Sequence, residues 1–193
     1  MKDIDVKKKI IFLALCISLS ACLQVFQHVF IYWRYSFFSE PWRWWTAHWV
    51  HVGWMHFFLN MLAFVCLPFI FPHIRTRFFC LLLLLEAPLI SLCFYYLYPN
   101  IEAYAGLSGI LHGLYIAAAI LYLPYKKERN FALLVLSLVL VKLLWENTFG
   151  QVGTAELIGS PVLVEAHLLG AIWGAIFAIM YLFFQQQRKR CSN

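Results

Sequence analysis

The amino-acid sequence predicts an all-α integral membrane protein, a bundle of six transmembrane helices with an interfacial loop between helices 1 and 2. Three observations predict it. Of the 193 residues 63% are hydrophobic and only 12% charged, where a soluble domain runs at about 45–50% and about 25%. Six apolar stretches approach the roughly 20 residues that a helix needs to cross a bilayer. Finally, 12 of the 15 Lys and Arg residues fall in segments that alternate with those stretches so as to share one side. Aromatic residues make up 19% of the chain and the mean hydropathy is +0.75. A globule of this size cannot hide that much apolar surface from water. A soluble enzyme, a nucleic-acid-binding module and a disordered tail are excluded, and the net charge of +6 reports topology rather than a nucleic-acid partner.

The expected spans are 10–32, 54–71, 78–98, 105–123, 131–147 and 162–184, in a single domain over 1–193. Backbone in lipid has few alternatives to helix, and the short alternating segments of a β-barrel do not occur. Lys2, Lys7, Lys8 and Lys9 precede span one; Arg75 and Arg77 follow span two. Lys126, Lys127 and Arg129 follow span four, and Arg188, Lys189 and Arg190 follow span six. The positive-inside rule makes that side, with both termini, cytoplasmic. Leu19-Ser20-Ala21-Cys22 has the form of a lipoprotein cleavage box, but the chain runs on apolar toward Phe30-Ile31-Tyr32-Trp33 instead of into a polar linker, so the expectation is that span one stays. Residues 33–53 are too aromatic and too broken for a span. Trp42, Trp44, Trp45 and Trp49 beside Arg43 fit a loop in the non-cytoplasmic interface, either an aromatic belt and nothing more or, given its length and its place before span two, a scaffold; His48 there is expected to be solvated. The six cysteines are scattered through apolar runs without a C-x-x-C pair and read as small hydrophobes.

Polar side chains at membrane depth are costly and point to function. His56 and Asn60, four apart, share one face of span two. Ser108, in Gly106-Leu107-Ser108-Gly109, opens span four, with His112 one turn below; His167 opens span six. All five fall near the same membrane face. A serine hydroxyl becomes a nucleophile when a neighbouring base takes its proton, and histidine is the usual base near neutral pH. The oxyanion that follows needs donors aimed at it; the Asn60 amide, the His56 ring and the Ser108 backbone N–H at a helix start can supply them. Gly170 and Gly174 share the face of His167, and Gly109 and Gly113 line span four, so the two helices can approach closely.

Together these residues resemble the rhomboid intramembrane serine proteases. The likeness covers most of the chain. Trp42-Arg43 resembles the family's Trp-Arg loop; His51, His56 and Asn60 fall on its H-x-x-x-x-H-x-x-x-N pattern; Gly106-Leu107-Ser108-Gly109 resembles the G-x-S-G motif, and His167-x-x-Gly170-x-x-x-Gly174 the general-base motif. The resemblance implies a rhomboid-like bundle with a Ser108–His167 dyad, and an oxyanion site from Ser108, His56 and Asn60. It departs at His112, where many members carry a Tyr stacked on the catalytic imidazole, and at Glu165, where a glycine-containing approach is common. His112 is expected to stack on or bond to His167, or to replace Tyr passively; Glu165 is expected to face substrate or fix the loop. GLSGILHGL and EAHLLGAIWG are similar to rhombosortases. That likeness implies a bacterial inner-membrane enzyme facing the periplasm, whose partners are exported proteins held by a C-terminal transmembrane tail with a Gly-Gly motif and a basic end.

Lys142 and Glu146, four apart in span five, read as an internal ion pair rather than catalytic groups. Glu86 beside Pro88 marks a kink or an inward contact. Two other functions remain open at this point. One is a metal- or haem-binding oxidoreductase using His48, His51, His56, His112 and His167; it needs convergent ligand sets, and His51 and His56, five apart, point to different faces. The other is an inactive rhomboid-like binding protein. The protease reading requires no cofactor and no metal.

Overall fold

The computed structural model describes residues 2–150 and 152–191; the side chains of 2–5, 152–154, 189 and 191 lie outside that description, and with them the charges of Lys2 and Lys189 and the Cys191 thiol. The chain is mostly helical. Helix α1 (Lys2–Val25) is followed by the short α2 (Gln27–Phe30), strand β1 (Tyr32–Trp33), a 3-10 turn at Arg34–Ser36 and α3 (Arg43–Thr46). Then come α4 (Trp54–Ile70), α5 (Thr76–Leu97), strand β2 (Ala103–Tyr104), α6 (Ser108–Tyr122), α7 (Arg129–Phe149), α8 (Val152–Ile158) and α9 (Val164–Cys191). Among the described residues four helices are long and apolar enough to cross a membrane: Val6–Val25, Thr76–Leu97, Arg129–Phe149 and Val164–Arg188. The apolar helices α4 and α6 are shorter, at 17 and 15 residues.

The first span ends earlier than the expected 10–32. Helix α1 stops at Val25, and the segment after it, which includes α2, is tied to the loop by side chains. The Arg43 guanidinium donates to the carbonyls of Ile31 at 2.6 Å and His28 at 3.3 Å, and the Thr46 hydroxyl to that of Phe30 at 3.2 Å. The chain then pairs antiparallel with the segment ahead of α6, Tyr32 opposite Tyr104 and Trp33 opposite Ala103. This small ribbon is absent from the expected all-helical reading, and the helix of the fourth expected span starts at Ser108 rather than at 105.

The loop between α1 and α4 is a packed structure. Arg43 is buried and also pairs with Glu40 at 2.7 Å; that bond holds the partly exposed Glu40 carboxyl below its ordinary range. The Trp44 indole donates to the Phe37 carbonyl. Trp45 makes a more telling bond. Pro88 lies inside α5 and has no N–H to give the carbonyl four residues back. That carbonyl, of Leu84, accepts instead from the Trp45 indole at 2.9 Å. At the opposite end of the bundle the Lys9 ammonium donates to the carbonyls of Pro68 and Pro72 at 3.3 and 2.7 Å, a cation placed where helix α4 exposes its carbonyls.

Helix α6 is the centre of the bundle, with Ile110, Leu114, Ala117 and Ala118 wholly buried, and it packs most extensively on α9. Glycine makes that approach possible. A Cβ on Gly170 would run into the Gly109 carbonyl, and one on Gly174 into that of Gly113. With little hydrophobic drive between helices in lipid, such backbone contact is what associates them. Glu86 is an inward contact: it is fully buried, with its carboxyl packed against Gly113.

Candidate active site

Three backbone devices position Ser108. Gly106 adopts φ +145°, a conformation open to glycine, and a Cβ there would lie 2.7 Å from the His56 ring. The Tyr104 hydroxyl donates to the Gly106 carbonyl at 2.5 Å. His51 accepts from the Leu107 amide at 3.4 Å, and its own backbone is bracketed by Gln24, which accepts from its N–H at 2.7 Å and donates to its carbonyl at 2.8 Å. Ser108 therefore starts α6 with its amide among the unpaired N–H groups of a helix N-terminus.

The glycine-mediated approach of α6 and α9 brings Ser108 to His167. The Ser108 Oγ lies 2.9 Å from His167 Nε2. On the other side of the ring, Nδ1 lies 2.8 Å from Glu146 Oε2, and Glu146 Oε1 is ion-paired with Lys142. A carboxylate only accepts, so Nδ1 carries the proton and Nε2 presents a lone pair to the serine hydroxyl. His167 and Glu146 are buried, and the Lys142 side chain is half exposed. The expected Lys142–Glu146 ion pair forms, but it is more than a neutral pairing, because its second carboxylate oxygen reaches the imidazole of another helix.

His112 stacks on His167, with ring centroids 4.1 Å apart and planes at 19°, while its Nδ1–H donates to the Ser108 carbonyl at 2.7 Å. Of the alternatives for His112, stacking is what the geometry realises. His56 and Asn60 line the same cavity, of about 340 Å³, as Ser108, His112, Lys142 and His167; its remaining walls are mostly apolar, from Leu59 and Ala63 of α4 to Val139 of α7 and Ile158 and Val162. Asn60 Nδ2 donates to the His56 carbonyl at 2.9 Å, which aligns the amide along α4 and leaves its second hydrogen for the cavity. Glu165 is not part of this lining; it sits in the first turn of α9, where a negative charge favours the helix dipole. Gly109, Gly170 and Gly174 act through the helix contact, and Trp42 and Arg43 through the loop.

Two expectations about histidines are corrected. His48 is fully buried and shares a 3.1 Å hydrogen bond with Ser91, whose hydroxyl donates to the Trp44 carbonyl. Burial pushes its imidazole down to about 3. His51 lies ahead of α4, so helical spacing does not separate it from His56; the two rings meet edge to face at 5.0 Å. Burial, and then the neighbouring His56, push His51 to about 3 as well.

His112, Glu146 and His167 offer ligand atoms within 4.8 Å of one another, a spacing that can hold a metal ion. The hydrogen bonds argue for other work: both Nδ1 atoms already carry protons for oxygen acceptors, and His167 Nε2 faces Ser108. A family model described as Rhomboid domain matches residues 39–184, more than half of the chain. A search of the curated proteins finds no match.

Proposed function

The chain belongs to the rhomboid family, and from that premise we propose that it is an intramembrane serine endopeptidase in which Ser108 is the nucleophile and His167 the general base. The family's members are generally intramembrane serine proteases, and the chain is a multi-pass membrane protein. One observation carries the finer reading: the 2.9 Å contact between Ser108 Oγ and His167 Nε2, within the reach that proton transfer requires.

In the proposed reaction the Ser108 hydroxyl oxygen attacks the scissile carbonyl carbon while its proton passes to His167 Nε2. The developing oxyanion meets the Ser108 amide, Asn60 and His56. Collapse expels the leaving amine, which takes the proton from His167. A water then attacks the acyl-enzyme by the same route and frees Ser108. Each oxyanion donor of this kind contributes about 10²–10³ in rate. The site lies at the end of α6 away from the basic segments: Tyr122, at its other end, accepts from the His73 amide in the turn that precedes Arg75. With the basic segments cytoplasmic, the site of a bacterial inner-membrane enzyme opens to the periplasm.

The substrate in this reading is an exported protein anchored by a C-terminal helix, cut at a Gly-Gly motif beside the membrane. Its support is the likeness of GLSGILHGL and EAHLLGAIWG to rhombosortases, together with an apolar cavity beside Ser108. The test is co-expression with reporters that carry a Gly-Gly motif, an apolar helix and a basic tail. Release that needs both Ser108 and the Gly-Gly pair is expected; equal release by the Ser108→Ala variant contradicts the reading.

A further inference from the structure

We propose that Glu146 is a positioning residue that fixes the tautomer of His167 and is itself held in register by Lys142. The proposal rests on the reading of Ser108 and His167 as nucleophile and base. A serine–histidine pair leaves Nδ1 of the imidazole free to carry or lose its proton, and only the form protonated at Nδ1 can accept from the serine at Nε2. Here that choice is made by a carboxylate from a third helix. Glu146 Oε2 lies 2.8 Å from Nδ1, with both side chains buried, where such a bond is stronger than in water. The other oxygen is engaged by an ammonium, which can only donate, so the carboxylate cannot turn away. Stacking by His112 fixes the plane of the ring; Glu146 fixes its rotation and its proton.

Lys142 makes the proposal sharply testable. In Glu146→Gln the ammonium claims the amide oxygen and leaves the NH₂ facing Nδ1. The imidazole proton then moves to Nε2, where it cannot receive the serine proton. A loss of about 10³–10⁴ in the rate at which a fluorophosphonate labels Ser108 is expected, the scale of a wrong-tautomer substitution. Adding Lys142→Met frees the amide to turn its oxygen to Nδ1, and the double variant is expected to label at least about tenfold faster than Glu146→Gln. A buried charge with a merely structural role does not give recovery on losing a second partner. The measurements use the full chain in detergent, with the thermal midpoint of each variant as the folding control.

Labelling of Glu146→Gln within about threefold of wild type overturns the proposal, as does a double variant no faster than the single one. So does stoichiometric zinc bound by the wild type and lost in Glu146→Gln, which would make the cluster a metal site. Nitrogen NMR on labelled histidine in the Ser108→Ala background reads the tautomer directly, and does not need the Glu146 variants to fold. A His167 proton on Nδ1 is expected; one on Nε2 overturns the proposal. Failure of the protease reading looks different, since wild type then fails to label at Ser108 while Nδ1 stays protonated.

Discussion

The imidazole of His112 lies flat against that of His167, 4.1 Å between centroids, and its own N–H is tied to the carbonyl of Ser108. One side chain thus braces the proposed base and the helix turn that carries the proposed nucleophile. His112→Tyr keeps the aromatic plate and is expected to retain fluorophosphonate labelling within about tenfold of wild type. His112→Ala leaves the ring unsupported and is expected to lose about 10², the cost of an ångström of misplacement. Equal rates in the two variants would show that stacking contributes nothing.

Asn60 is held along α4 by its bond to the His56 carbonyl and opens on the cavity beside Ser108. As an oxyanion donor it acts only as charge develops, so Asn60→Ala is expected to lower kcat by roughly 10²–10³ with little change in KM. Kinetics on a cleavable reporter check this; a rise in KM with kcat unchanged would remove Asn60 from that role.

Gly170 meets the Gly109 carbonyl where no Cβ fits. Backbone cannot rotate out of the way as a side chain can, so Gly170→Ala has to separate α6 from α9. A destabilisation of about 3 kcal/mol or more is expected, and with it loss of the Ser108–His167 contact. Thermal unfolding in detergent measures the first, and fluorophosphonate labelling the second. An unaltered melting temperature contradicts the packing account.

His48 and His51 are held neutral, both pushed to about 3 from an ordinary 6.5 by burial. The unfolded chain binds these protons more readily than the native one, so their contribution to stability is intact above about pH 6.5 and is lost as pH falls toward 3. The melting temperature is expected to drop through that window, by a slope approaching one proton per ring. His48→Asn should flatten the slope; an unchanged slope in that variant would place the lost stability elsewhere.

How far the site can be read from sequence depends on what each residue needs to be recognised. Ser108, His167, His56 and Asn60 stand out because each is polar in an apolar run, and helix ends assign their depth. The glycines of α6 and α9 follow from helical spacing alone. Glu146 was legible only as a partner for Lys142, since spacing four within one helix supplies a complete explanation. The remaining signal was depth: Glu146 lies in the last turn of α7, level with the start of α9. His48 read as solvated because nothing local reveals that Ser91 and α5 close over the loop. The segment that follows α1 is held by Arg43, which takes carbonyls from 12 and 15 residues away, a contact that hydropathy does not record.

The central claim is that His167 activates Ser108, and covalent labelling tests it without a known substrate. Detergent-purified wild type is treated with a fluorophosphonate, beside Ser108→Ala and His167→Ala, and the modified residue is mapped by mass spectrometry. The account predicts an adduct on Ser108 in the wild type and none on either variant. Labelling of Ser108 that persists in a folded His167→Ala protein, or an adduct on another residue, would contradict it.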